Sequence, residues 1–181
     1  METIYFLVQQ TMLFSIPLLL VALGGMFSER SGVVNIALEG IMIIGAFTGI
    51  FFISRFGNLF SPTITLFIAI IISALSGLIF SLLHAYASIN MSADQVISGT
   101  ALNIFAPAFA IYVTRAIQVV QQISFVNNFR IESVPVLGNI PIIGNLLFKN
   151  SYITTYLGFI ILALSWFALY KTRFGLRLRS C

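Results

Sequence analysis

The sequence predicts an all-α fold, a polytopic transmembrane helix bundle of about five spans, and three observations carry that expectation. Of the 181 residues, 59% are hydrophobic and only 8% are charged, a balance outside that of soluble domains. The apolar residues fall into runs that each approach the roughly 20 residues a helix needs to cross the hydrocarbon core. Strand-like alternation is weak, and the runs are too long for the ~10-residue alternating segments of a membrane barrel. The whole of 1–181 reads as a single transmembrane domain.

The first run, about Ile4 to Phe27, follows Glu2 rather than a basic segment. No small-residue cleavage pattern closes it, so it reads as a retained helix. The polar turn "SERSG" separates it from a second run, Val33 to Ile53, and the Gly/Pro loop "SRFGNLFSP" leads to a third, Pro62 to Tyr86. The linker "ASINMSAD" precedes a fourth run, Gln95 to Thr114, and places Ser92 or Asp94 where an N-cap belongs.

A long connection follows, from about Arg115 to Ser151, containing "VPVLGNIPIIGNLLFKN". Pro135, Gly138, Pro141 and Gly144 forbid a continuous helix there. Val136, Leu137, Ile140, Ile142 and Ile143 make it too apolar for a disordered tether. A structured loop or partly inserted segment is expected, packed on the bundle or lying at the lipid interface. The fifth run spans Tyr152 to Tyr170, with Tyr152, Trp166 and Tyr170 suited to headgroup level.

Lys171, Arg173, Arg177 and Arg179 crowd the last eleven residues, which marks that end as cytoplasmic. Counting back through five crossings places the N-terminus outside, Arg30 and His84 inside, and Arg55, Arg115, Arg130 and Lys149 outside. An undetected re-entrant segment in the first two runs would reverse the N-terminus only.

Two polar groupings interrupt the apolar pattern. In "SERSGVVNIALEG", a helix beginning near Val33 would set Asn35 and Glu39 four residues apart on one face, and a carboxylate at that depth should point into the bundle. Glu39 has three readings: a solvated residue if the helix starts later, a hydrogen-bonded brace for a broken helix, or a direct contact to solute. In "SADQVISGTALN", Gln95, Ser98, Gly99, Thr100 and Asn103 suit close helix packing and interhelical hydrogen bonds. Asn103 is either part of that packing or the lining of a polar pathway.

The remaining features argue against chemistry within the chain. His84 has no second His, Cys pair or carboxylate at metal-ligand spacing, and no Walker phosphate loop or nucleophile elbow is present. No cofactor, no metal and no enzymatic activity is expected, and energy must come from a partner or a gradient. Cys181 has no partner for an intrachain disulfide and no prenylation box behind it. The 18 Phe residues are dispersed, which fits packing and lipid contact better than an aromatic substrate cage.

Four stretches together, "GGMFSERSGVVNIALEGIMIIGAF", "SADQVISGTALNIFA", "VPVLGNIPIIGNLLF" and "TRFGLRLRSC", resemble the permease subunits of bacterial ABC importers for ribonucleosides, within the wider simple-sugar and branched-chain amino acid permease family. The resemblance covers nearly the whole chain. It implies a multi-pass protein of the bacterial plasma (inner) membrane that works with a second permease subunit, a cytoplasmic ATP-binding subunit and an extracytoplasmic substrate-binding protein in the lipid bilayer, with no nucleic acid partner. It implies transport of nucleosides or related sugars, with Asn35, Glu39 and Asn103 on the substrate pathway and Arg173, Arg177 and Arg179 flanking the ATPase contact.

In such permeases the segment after "FGLRLR" resembles a coupling helix followed by further spans. The chain is therefore expected to be the N-terminal part of a longer permease, an incomplete half of the importer's membrane domain. The rival expectations are a non-transporting truncated product or membrane-assembly partner, and a gradient-driven transporter.

Overall fold

The structure, a computed structural model, describes residues 2–32, 34–118, 123, 130–133 and 149–178. In chain order its elements are α1 (Glu2–Arg30), α2 (Leu38–Phe56), α3 (Pro62–Ile89), α4 (Gln95–Gln118), β1 (Arg130–Ser133), β2 (Lys149–Tyr152), α5 (Ile153–Lys171) and α6 (Arg173–Leu178). Among the described residues, five helices are long and apolar enough to cross a membrane, the five that the apolar runs predict. The two strands are the exception to an all-helical chain. They form one antiparallel ribbon, with Arg130 opposite Tyr152 and Ser133 opposite Lys149. The ribbon flanks 134–148, the later part of the long connection; Pro135, Gly138, Pro141 and Gly144 lie outside the described residues, as do Arg179 and Cys181.

The chain divides into two compact units, one made of 1–32 with 129–181 and the other of Val33–Asn128. In the first unit α1 packs along α5. Ile16, 5% exposed, fits against Gly158, where an added Cβ would meet the Ile16 side chain. Pro17 lies inside α1 and has no N–H to donate, so the Leu13 carbonyl loses its helical partner. Two residues earlier, Ser15 Oγ donates to the Thr11 carbonyl at 2.7 Å. The helix ends where the "SERSG" turn predicts: the Gly32 N–H bonds the Glu29 carbonyl at 3.1 Å, and Gly32 adopts φ +81°, a left-handed stop that glycine makes without a Cβ clash.

The second unit packs α2 against both α3 and α4. Its contacts use small residues, as helix pairs in lipid do when there is no water to expel between them. Gly45 and Gly49 of α2 both face Ser73 of α3, and the hydroxyls of Thr48 and Ser76 meet at 2.6 Å. Ile44, Phe80 and Ala106 form the buried centre, with Ile41, Ile43 and Leu102 around it. The outward faces are apolar, for example Leu75, Ile79 and Leu82 along α3, while Thr65 and His84 of α3 are buried. That arrangement suits hydrocarbon as the surrounding medium.

Candidate functional site

The second unit holds a helix whose beginning is closed by a different helix. The expectation that α2 starts near Val33 is corrected here, because the helix starts at Leu38. The reason is local: Asn35 Oδ1 accepts a hydrogen bond from the Ala37 N–H at 3.0 Å, a side-chain turn that competes with helix formation. Asn35 and Glu39 therefore do not share a helical face. Asn35 is partly buried ahead of the helix, whereas Glu39 is exposed in the first turn. The expectation that Glu39 points into the bundle is corrected with it.

Starting at Leu38 exposes a helix end, and the first N–H groups of such an end have no intrahelical acceptor. In a bilayer, unsatisfied backbone groups cost several kcal/mol each. Asn103 of α4 supplies what is missing. Its Oδ1 accepts from the Gly40 N–H at 2.7 Å, and its Nδ2 donates to the Ile36 carbonyl at 2.8 Å. One side-chain amide thus mimics a peptide unit and bonds the backbone on both sides of the break.

Two glycines make this approach possible. A Cβ on Gly40 would lie 2.8 Å from the Leu102 carbonyl oxygen and 3.0 Å from Asn103 Oδ1. A Cβ on Gly99, one turn before Asn103, would lie 3.0 Å from both the Ala37 nitrogen and Ile36 Cβ. Both distances are too tight for an ordinary side chain, so the backbone of 36–40 rests directly on α4. Pro107 sits within α4 and, lacking an N–H, leaves the Asn103 carbonyl without its helical donor. The clamp therefore stands on a loosened turn of its own helix.

Of the residues singled out from sequence, Asn35 and Asn103 converge on the break. Glu39 makes no side-chain hydrogen bond or ion pair with the described residues, so the brace for the broken helix is Asn103. The α3–α4 hairpin beside it is fixed in two ways. Asp94 caps α4, its Oδ1 accepting from the Val96 N–H at 2.8 Å and the Ile97 N–H at 3.1 Å, as the linker predicts. His84, 5% exposed, meets Ser98 Oγ through Nδ1 at 3.1 Å. Sequence reasoning missed that pair, because nothing local links residues 14 positions apart across a turn.

The basic flank belongs to the first unit. Arg173 and Arg177 are exposed on α6, and Arg179 lies outside the described residues. Arg30 donates from Nη2 to Tyr170 Oη at 3.2 Å, and its guanidinium lies 5.7 Å from the centre of that ring. This contact ties the ends of α1 and α5 together. It was not foreseen from either run alone.

Residues 7–181 match a family described as the branched-chain amino acid transport system / permease component. The chain is 40% identical over 179 residues to a nucleoside ABC transporter permease protein of Lactococcus lactis, covering 99% of this chain and 56% of that protein. It is 42% identical over 175 residues to a guanosine ABC transporter permease protein of Bacillus subtilis, covering 96% and 54%. A putative glucose ABC transporter permease protein of Haloferax volcanii is 28% identical over 170 residues, covering 89% and 46%. The chain spans about half the length of these curated relatives. No solved structure gives a significant match. With five apolar helices and a family match over nearly its whole length, the chain is a multi-pass protein of the bacterial plasma membrane and belongs to the permease family of branched-chain amino acid transport systems.

Proposed function

We propose that this chain forms part of the permease of an ATP-driven ABC importer for nucleosides, and that the break ahead of α2 lies on the solute pathway. The observation that carries the second part is the Asn103 clamp. Irregular backbone persists at membrane depth only where it is buried in protein or lines a cavity, and transporters place their solute sites at such interrupted helices. The nucleoside assignment is supported by the solutes named for the two relatives that are 40% and 42% identical.

In this reading ATP is hydrolysed by a cytoplasmic subunit, a second permease subunit completes the pathway, and an extracytoplasmic binding protein delivers solute to the outer side. With the basic residues Lys171, Arg173 and Arg177 on the cytoplasmic side, counting crossings along the chain assigns the starts of α2 and α4, with Asn103, to the inner half and their far ends to the outer half. Arg173, Arg177 and Arg179 then flank the ATPase contact. Asn35, Glu39 and Asn103 line or support the inner part of the pathway.

The test is reconstitution of the complete transporter in vesicles, with labelled guanosine and the binding protein on the side of delivery. Accumulation that requires hydrolysable ATP supports the reading. Accumulation driven by an ion gradient without ATP would assign a secondary transporter instead, and none under either condition would reject transport.

A further inference from the structure

The outer part of the second unit carries a feature that the clamp does not explain. Between α2 and α4 lies a crevice of about 200 Å³ lined by Phe47, Ile50, Ala110, Ile111, Thr114 and Ile123. Among the described lining residues, Thr114 carries the one polar side chain. Phe47 is held from two sides: the Phe109 ring meets it edge to face at 6.5 Å and 80°, and Phe51 stacks with it at 6.1 Å. Three of the 18 Phe residues of the sequence thus pack against one another here.

Resting on the nucleoside reading above, we propose that this crevice is a stacking station for the nucleobase, passed before the Asn103 clamp. The chemistry matches a flat, largely apolar ring with a polar edge. A base has a π face whatever its sequence of substituents, and stacking on an aromatic side chain is its main source of affinity where hydrogen bonds are few. A fixed aromatic wall with one hydroxyl-bearing neighbour suits such a ring. Thr114 Oγ1 already donates to the Ala110 carbonyl at 2.8 Å, so its oxygen retains acceptor capacity for a base N–H.

The position is also consistent with a path. The contacts between α2 and α4 advance in step, Gly40 with Asn103, Ile44 with Ala106 and Phe47 with Phe109, so the two helices run side by side in the same direction. Thr114 lies eleven residues beyond Asn103 on α4, about 16 Å at 1.5 Å per residue. A solute entering from the outer side meets the crevice first. An acyl chain is the competing occupant of any apolar crevice at a membrane surface, and the experiment separates the two.

The experiment uses the complete transporter with its partners. Photolabelling with an azido-guanosine, protected by excess guanosine, is expected to mark residues of 47–51 or 109–114. Phe47→Leu is expected to raise the guanosine KM about tenfold at matched membrane abundance, since aromatic-to-aliphatic change removes most of a stacking contact, and Phe47→Trp is expected to restore it. Guanosine uptake with an unchanged KM in Phe47→Leu, or protected labelling that falls elsewhere, would overturn the station and leave the nucleoside reading standing. Absence of guanosine uptake by the unaltered transporter would overturn that reading itself. The photolabel on the unaltered protein decides the matter if Phe47→Leu fails to accumulate.

Discussion

Asn103 and Gly40, 63 positions apart, are joined by a 2.7 Å hydrogen bond in which a side-chain oxygen takes the place of a missing helical carbonyl. The same amide returns a donor to Ile36, so the start of α2 is held from α4 and has no need of a cap in its own sequence. The residue before the helix, Ala37, offers no capping side chain. The consequence for mechanism is that the break and the clamp form one element: what moves α4 also moves the non-helical backbone ahead of α2.

Removing the clamp is expected to be costly. In Asn103→Ala both backbone groups lose their partner, and each buried unsatisfied group costs about 1–3 kcal/mol. Asn103→Asp keeps the acceptor for Gly40 but sets a carboxylate oxygen in place of the donor to the Ile36 carbonyl, so it too is expected to destabilise. Thermal denaturation of the purified transporter in detergent should place both variants below wild type. A substrate affinity and uptake rate in Asn103→Ala equal to those of the wild type would reduce the residue to helix packing.

Much of the framework is legible in the sequence because it is local. A run of apolar residues encodes a span by its own length, Asp94 encodes the start of α4 through N–H groups two and three residues away, and Gly32 encodes the end of α1. The start of α2 is misread for an equally physical reason. The apolar pattern continues back to Val33, so periodicity extends the helix, whereas the Asn35 turn and a donor from Asn103 draw the 35–37 backbone out of it. No window of sequence contains both partners. The pairs Arg30–Tyr170, His84–Ser98 and Phe47–Phe109 escape for the same reason, being created by helix packing.

Glycine at position 99 is expected to be required by contact. Gly99→Val would drive a branched side chain into the Ile36–Ala37 backbone, already 3.0 Å from the site of a Cβ. Overpacking of this kind costs about 1–3 kcal/mol. Reduced thermal stability together with protease cleavage between α1 and α2 is expected; a fully stable, active Gly99→Val protein would show that the α2–α4 approach is not tight.

Glu39 gives the opposite expectation. Its carboxylate is exposed in the first turn of α2, so Glu39→Gln forfeits only a charge–dipole term of about 0.3–1 kcal/mol and should reach the membrane at normal abundance. Uptake is expected to fall several-fold, as it is for Asn35→Ala. Normal uptake in Glu39→Gln would reject any need for an ionised group there.

The Arg30–Tyr170 contact should matter little to stability. Tyr170 is 46% exposed, and exposed cation–π contacts contribute about 0.5–1 kcal/mol. Tyr170→Phe removes the hydroxyl acceptor while keeping a ring beneath the guanidinium, so a melting temperature within a few degrees of wild type is expected. A large drop would show that this end of the first unit is buried in the assembled transporter.

The central claim, a nucleoside pathway built around the clamped break, is tested most directly by competition of labelled guanosine uptake in the complete transporter under ATP. Unlabelled nucleosides are expected to compete, with ribose weak and leucine without effect, and Asn103→Ala is expected to lower the uptake rate. Competition by leucine but not by nucleosides would contradict the account and assign the pathway to amino acids.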